Sequence, residues 1–472
     1  MRIVLLILFI FPIVVRSEFL DQNESKKRAY FFYLRITGVI PDVDSDEFAD
    51  VYNLIESGDE ENAALLIAND KNLINVKLKN FLKDWTNRKV SKNVSSSDML
   101  LLMLGLIRDD RDFREVLTTN KIYKISYDGF KYTFPPSGDI AKKPGEIEQY
   151  LSYMGAPDNL SFNEITDKAK YNRGNIYEGS VYLNIDNGHI DLNKYLVEEN
   201  RIVKYDDFTT SDHVNFTLKD SSNTLRENGF ISGVITTDQF AAEFFNAGTN
   251  RRATQYLFKN FLCKEFDDVA DTTVDTQYIR RDVDRYPNGD SKVYLNYCIG
   301  CHAGQDSLGR AFYHYDKSLV YNGMIYRKEH SFSPSTPNKL NKNIVYEDGF
   351  VVGTDKNGNS VDRKDVWENL WISGKNEELG MPDETVWKSS ILDTGEAHKG
   401  AGVKELGEYL SLSTAFDECM AERMWEMVCV NRKDSVFESK RKELGGFFRN
   451  NNHNMKKLIA KIATFCPYDS EL

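Results

Sequence analysis

The sequence predicts a mainly α, multi-domain protein, and three observations carry that prediction. A chain of 472 residues is longer than one ordinary hydrophobic core accommodates. Apolar residues recur at helical spacing towards both ends. Alternating runs broken by Asp-Gly and Asn-Gly turns are confined to one stretch in between. Hydrophobic residues at 41% and charged ones at 28% describe globular segments, neither fibrous nor disordered. The expected order is a leader over 1–17, a helical N-terminal domain over 18–120, and an irregular strand-containing region over 121–225. A cysteine-motif domain over 226–330 and a loop with a helical C-terminal module over 331–472 complete it.

The leader is Met1-Arg2, an apolar run from Ile3 to Val15, then Arg16-Ser17. One basic residue, a short apolar stretch and a small residue make a secretory signal cut near Ser17. The alternative is an uncleaved anchor, but the run is short for a bilayer and has no basic stop beyond it. No later run is long enough to span, so no transmembrane segment is expected after removal. The expected location is periplasmic or secreted. A formal net charge of −12 argues against a nucleic-acid partner held through phosphates.

In the N-terminal domain the stretch from Tyr33 to Pro41 ends at Gly38 and Pro41, which stop a helix. Phe48, Val51, Tyr52, Leu54 and Ile55 mark a helix over 44–56, with others over 76–85 and 97–107. The last is apolar nearly all round, the pattern of a buried helix. Its Met99 and Met103, one turn apart, are expected to pack and not to ligate.

In 121–225, Tyr123–Tyr127 and Phe130–Phe134 flank Asp128-Gly129 as a hairpin, Val181–Ile185 runs into Asn187-Gly188, and His213–Leu218 forms a further strand. The Asn-x-Ser/Thr sites at Asn23, Asn93, Asn159 and Asn215 matter only in a host that glycosylates them. Helices resume with Thr237–Phe245, amphipathic, and with a second from Asn250 to Cys263. An acidic loop with Pro287-Asn288-Gly289 follows.

Next comes Cys298-Ile299-Gly300-Cys301-His302, the Cys-x-x-Cys-His attachment pattern of a c-type haem. Two thiols one helical turn apart face the same side, so each reaches one of the two porphyrin vinyl groups. The adjacent imidazole of His302 lies under the iron as proximal ligand. The rivals are a dithiol redox site, which lacks a strand–helix frame here, and a zinc site, which lacks a second ligand cluster at matching spacing. Leu308, Gly309 and Phe312 are expected to wrap the haem edge, Gly309 allowing close backbone approach and Phe312 having core packing as its alternative.

A resemblance rests on these residues. Gly229-Phe230-Ile231, Thr249-Asn250-Arg251-Arg252, Phe261-Leu262-Cys263 and the motif continuing through Asp306, Leu308, Gly309, Phe312, Tyr315 and Asp316 are similar to the planctomycete-type family of exported cytochrome c-like proteins. The run Gly402–Gly407 with Ala415–Cys419 resembles the helical module that follows the haem domain in that family, and Tyr33–Pro41 resembles its N-terminal module more loosely. The resemblance covers about half of the chain and leaves 121–225 unmatched. It implies one covalently bound haem c in an exported protein and supplies no reaction.

For the sixth iron position, Gly380-Met381-Pro382 resembles the loop from which small cytochromes present an axial methionine. Met324, His330 and His314 are alternatives, and plain packing is the other reading of Met381.

At the C-terminus, Ser413-Thr414 start an amphipathic helix bearing Phe416, Met420, Met424, Met427 and Val428. Cys419 and Cys429 both fall in it, about 15 Å apart at the helical rise, too far for a disulfide. Helices near 438–449 and 455–465 return Cys466 to the end where Cys429 lies, so Cys429–Cys466 is expected. Cys263–Cys419 follows by elimination, since an exported chain favours paired cysteines.

The functional expectation is an exported monohaem cytochrome that exchanges single electrons with other redox proteins. A haem oxidoreductase or ligand sensor with an open sixth position is one alternative. A secreted interaction protein with structural haem is another.

Overall fold

The computed structural model describes residues 23–86, 98–125, 191–200, 204–205, 231–245, 250–317, 324–326, 353–354, 360–361, 365–392, 395–430 and 435–466. Helices dominate them: α1 (Glu24–Thr37), α2 (Asp46–Glu56), α3 (Glu60–Ile67), α4 (Lys79–Trp85), α5 (Asp98–Arg108), α6 (Asp238–Phe244), α7 (Asn250–Phe261), α8 (Ile299–Gly309), α9 (Gly402–Ser411), α10 (Thr414–Cys429), α11 (Ser435–Asn450) and α12 (Met455–Phe465). Strands are short and form sheets of two or three. Among the described residues no helix is long and apolar enough to cross a membrane. Dense packing defines two units, Met1–Phe81 with Ala421–Leu472, and Leu82–Met420. Segments from before residue 82 and after residue 420 make up the first unit.

In that unit the helices start where polar side chains satisfy free backbone N–H groups. The Asn23 side chain accepts from Lys26 N, Ser45 from Phe48 N, Asp59 from Asn62 N and Asn454 from Lys457 N. The Asn23 amide also donates to Tyr52 Oη at 3.2 Å, so this Asn-x-Ser asparagine is engaged in the fold. α1 stops at Gly38, whose φ of 72° lies in the left-handed region that favours glycine. α3, which the sequence pattern did not reveal, packs against α12 and buries Ala63, Ala64 and Ile67. Cys429 and Cys466 stand at disulfide distance with Cα atoms 5.2 Å apart, the pair expected from the helix lengths.

In the second unit α5 is buried nearly throughout, with Met99 and Met103 at 0% exposure, so both methionines pack. The buried Asp98 carboxylate at its start accepts from Asp238 N at 2.7 Å and Gln239 N at 3.0 Å, tying α5 to α6. α6 is not amphipathic as expected. Gln239, Phe240, Ala241, Ala242 and Phe244 are all buried, because an aromatic cluster with Tyr256 surrounds the helix. Strand β1 (Lys121–Ile125) pairs antiparallel with β2 (Leu196–Asn200), Lys121 opposite Asn200. The partner expected for it, Phe130–Phe134, lies outside the described residues, as do Val181–Ile185 and His213–Leu218. β3 (Lys204–Tyr205) runs parallel to β5 (Met324–Tyr326), which pairs antiparallel with β4 (Tyr315–Lys317). After the small pair β6 (Gly353–Thr354) and β7 (Ser360–Val361), β8 (Val366–Glu368) pairs with β9 (Lys399–Ala401). The Ser413 hydroxyl caps α10 by accepting from Phe416 N. Cys263 and Cys419 stand at disulfide distance with Cα atoms 5.2 Å apart, again the expected pair.

Candidate functional site

The motif lies where helical structure runs unbroken from Ser291 to Gly309. Asp290 opens it by accepting from Lys292 N, a π-helical segment spans Tyr294–Cys298, and α8 follows. Such segments widen the helix locally and recur at functional sites. The helical period puts Cys298, Cys301, His302 and Gly309 on one face. Cys298, Cys301 and His302 are half-buried there, and a Cβ at Gly309 would meet only Thr254 Oγ1, at 3.8 Å.

The other faces of α8 are packed, which is what holds the motif in place. Ile299 and Ala303 join Ile279 and Val283 in an apolar cluster. Gly300 and Gly304 lie against α8's neighbours so closely that a Cβ at 304 would stand 2.4 Å from Trp371 Cε2. Trp371 Nε1 donates to the Gly300 carbonyl at 3.3 Å. Ser307 Oγ donates to the Glu368 carbonyl at 2.7 Å, binding the helix to β8. Leu308 and Phe312 are fully buried, Phe312 stacked on Phe240 with centroids 6.1 Å apart and edge-on to Phe245 at 5.6 Å. Phe312 is thus part of the aromatic core.

Cys298 and Cys301 are free thiols. Cys301 Sγ faces the Phe266 carbonyl at 3.6 Å and Asp267 Oδ1 at 3.8 Å. Burial, and then the Asp267 carboxylate, push its pKa up, so the thiol form is favoured.

His302 keeps 28% of its side-chain surface, yet its Nδ1 is buried without a hydrogen-bond partner. The accessible edge of the ring is therefore the one bearing Nε2. Nδ1 lies 3.9 Å from Asp306 Oδ2, one turn along α8. Burial lowers the His302 pKa, with Asp306 opposing and Arg251 reinforcing the shift, so the ring is held neutral.

Asp306 is fully buried within a charged cluster. Its carboxylate accepts from Arg251 Nε at 2.6 Å, Arg251 Nη2 at 2.8 Å and Arg280 N at 3.0 Å. Arg251 also reaches Asp282 at 3.0 Å, and Arg280 does so at 2.9 Å. Motif spacing missed this cluster. The signal that was present is an acid four residues after the motif histidine, the spacing of neighbours on one helix face.

Met381 is half-buried and follows Gly380, whose φ is 53° and whose carbonyl accepts from Thr414 N at the start of α10. Of the alternatives, His314 sits edge-on to Tyr313 with centroids 5.0 Å apart, the backbone of Met324 lies in β5, and His330 lies outside the described residues. Among the described residues no group of three or more His, Cys, Asp or Glu side chains is arranged to hold a metal ion. Comparisons with protein-family models, curated proteins and solved structures give no match.

Proposed function

We propose that this chain is an exported monohaem c-type cytochrome that passes single electrons between other redox proteins. The observation that carries the reading is the pair of free thiols, Cys298 and Cys301, on the same helical face as an imidazole whose Nε2 edge is accessible. The donor set suits the group: two thiols for two vinyl carbons, and one imidazole nitrogen for an axial position. Haem, when bound, supplies the ferric/ferrous couple. The chain's own part is to anchor that group through Cys298 and Cys301, ligate it through His302, and offer Met381 as the second axial ligand.

One further observation fits this reading. The four cysteines outside the motif stand in two pairs at disulfide distance while these two do not, which is compatible with export. The similarity to planctomycete-type exported cytochromes belongs to the same proposal.

The test is co-expression with the haem-maturation machinery, followed by mass measurement under denaturing conditions. The wild type is expected to retain one haem, and Cys298→Ser with Cys301→Ser to retain none. Absence of haem mass on the wild type removes the proposal.

A further inference from the structure

We propose that Asp306 is a positioning residue for the axial imidazole, accepting the Nδ1 proton of His302 and holding Nε2 outward. The inference rests on the haem reading above and deepens it. A buried ring nitrogen without a hydrogen-bond partner is costly, and His302 Nδ1 is such an atom. The acceptor nearest to it in the charged cluster is Asp306 Oδ2, at 3.9 Å. A side-chain rotation of His302 on cofactor loading would bring Nδ1 to hydrogen-bond length from this carboxylate.

Asp306 has room for it. A carboxylate offers about four lone-pair positions; Arg251 Nε takes one on Oδ1, Arg251 Nη2 and Arg280 N take both on Oδ2, and the open one is on Oδ1. Those donors also immobilise the carboxylate, so the imidazole and not the acid adjusts. Carboxylate partners of this kind fix the orientation of metal-bound histidines and raise the basicity of the ligating nitrogen. A more basic ligand stabilises ferric over ferrous iron, so Asp306 lowers the reduction potential. The cluster pairs two arginines with Asp306 and Asp282, hence the effect belongs to the contact and not to an excess of negative charge.

The experiment compares matured wild type, Asp306→Asn and Asp282→Asn by retained haem mass, ferric electron paramagnetic resonance and reduction potential. Asp282→Asn removes the same charge from the cluster without touching the ring. Asp306→Asn is expected to shift the ferric g-values and to move the equilibrium about tenfold towards ferrous, 59 mV for one electron. Asp282→Asn is expected to keep the wild-type g-values. If Asp306→Asn retains haem with unchanged g-values and potential, or if Asp282→Asn shifts both equally, the assignment is wrong. Wild type without retained haem overturns the attachment reading and this inference with it. Should Asp306→Asn fail to accumulate, Arg251→Lys serves instead. It loses the two-point grip on the carboxylate, so the ferric g-values and the potential are expected to shift, and unchanged values of both overturn the assignment.

Discussion

Replacing Gly304 with alanine tests how α8 is seated. The added methyl would lie 2.4, 2.7 and 2.7 Å from Cε2, Cδ2 and Cζ2 of Trp371. That ring has nowhere to retreat. It is 0% exposed, it packs between Phe258 at 5.1 Å and Phe266 at 5.3 Å, and its Nε1 donates to the Gly300 carbonyl. Overpacking of this kind costs about 1–3 kcal/mol, and a clash with rigid ring atoms belongs near the upper end. Alanine returns about 0.5–1 kcal/mol through helix propensity. The net expectation is roughly 2 kcal/mol of destabilisation.

Gly309→Ala in the same helix is the internal control. Its methyl meets only Thr254 Oγ1 at 3.8 Å, so that variant should be neutral or stabilised by up to about 1 kcal/mol. Denaturant titration of the haem-free protein, followed through tryptophan fluorescence of the unit Leu82–Met420, measures both. Equal stabilities within about 0.5 kcal/mol would show that α8 does not rest on Trp371. In the matured protein, the Gly304 variant should also retain less haem, because a displaced α8 moves the thiols and His302 together.

Removing the Cys429–Cys466 pair by double serine substitution frees a loop of sequence separation 37 and should cost about 2–4 kcal/mol, read as a lower denaturation midpoint of the Met1–Phe81 and Ala421–Leu472 unit. Asp109 is partly buried, which raises its pKa, but hydrogen bonds from Arg108 and Tyr123 with the charges of Arg108 and Arg111 prevail and hold it below the usual aspartate range. In the unfolded chain Asp109 binds its proton at a higher pH than in the folded one, so its contribution is present above the ordinary range and lost as pH falls through the lower folded value. Asp109→Asn should therefore show a shallower loss of stability on acidification than the wild type, and parallel curves would refute this. Met381→Ala in the matured protein should convert a low-spin ferric spectrum to one that responds to added cyanide, whereas an unaltered spectrum would assign the sixth position elsewhere.

What the sequence determined by itself is local. The boundaries of α2, α6 and α12 follow from caps at Ser45, Thr237 and Asn454, since a capping oxygen meets a backbone N–H only three residues away. The Cys-x-x-Cys-His face follows from one helical turn, and the cysteine pairing from the length of α10, which keeps Cys419 and Cys429 apart. Tertiary structure alone decided three other things. It brought the helices of 24–67 and of 435–465 into one unit and paired β1 with a strand more than 70 residues away. It also gathered Arg251, Arg280 and Asp282 around Asp306. Spacing along the chain is silent on such contacts. They are selected by which surfaces bury together and which charges must then find partners.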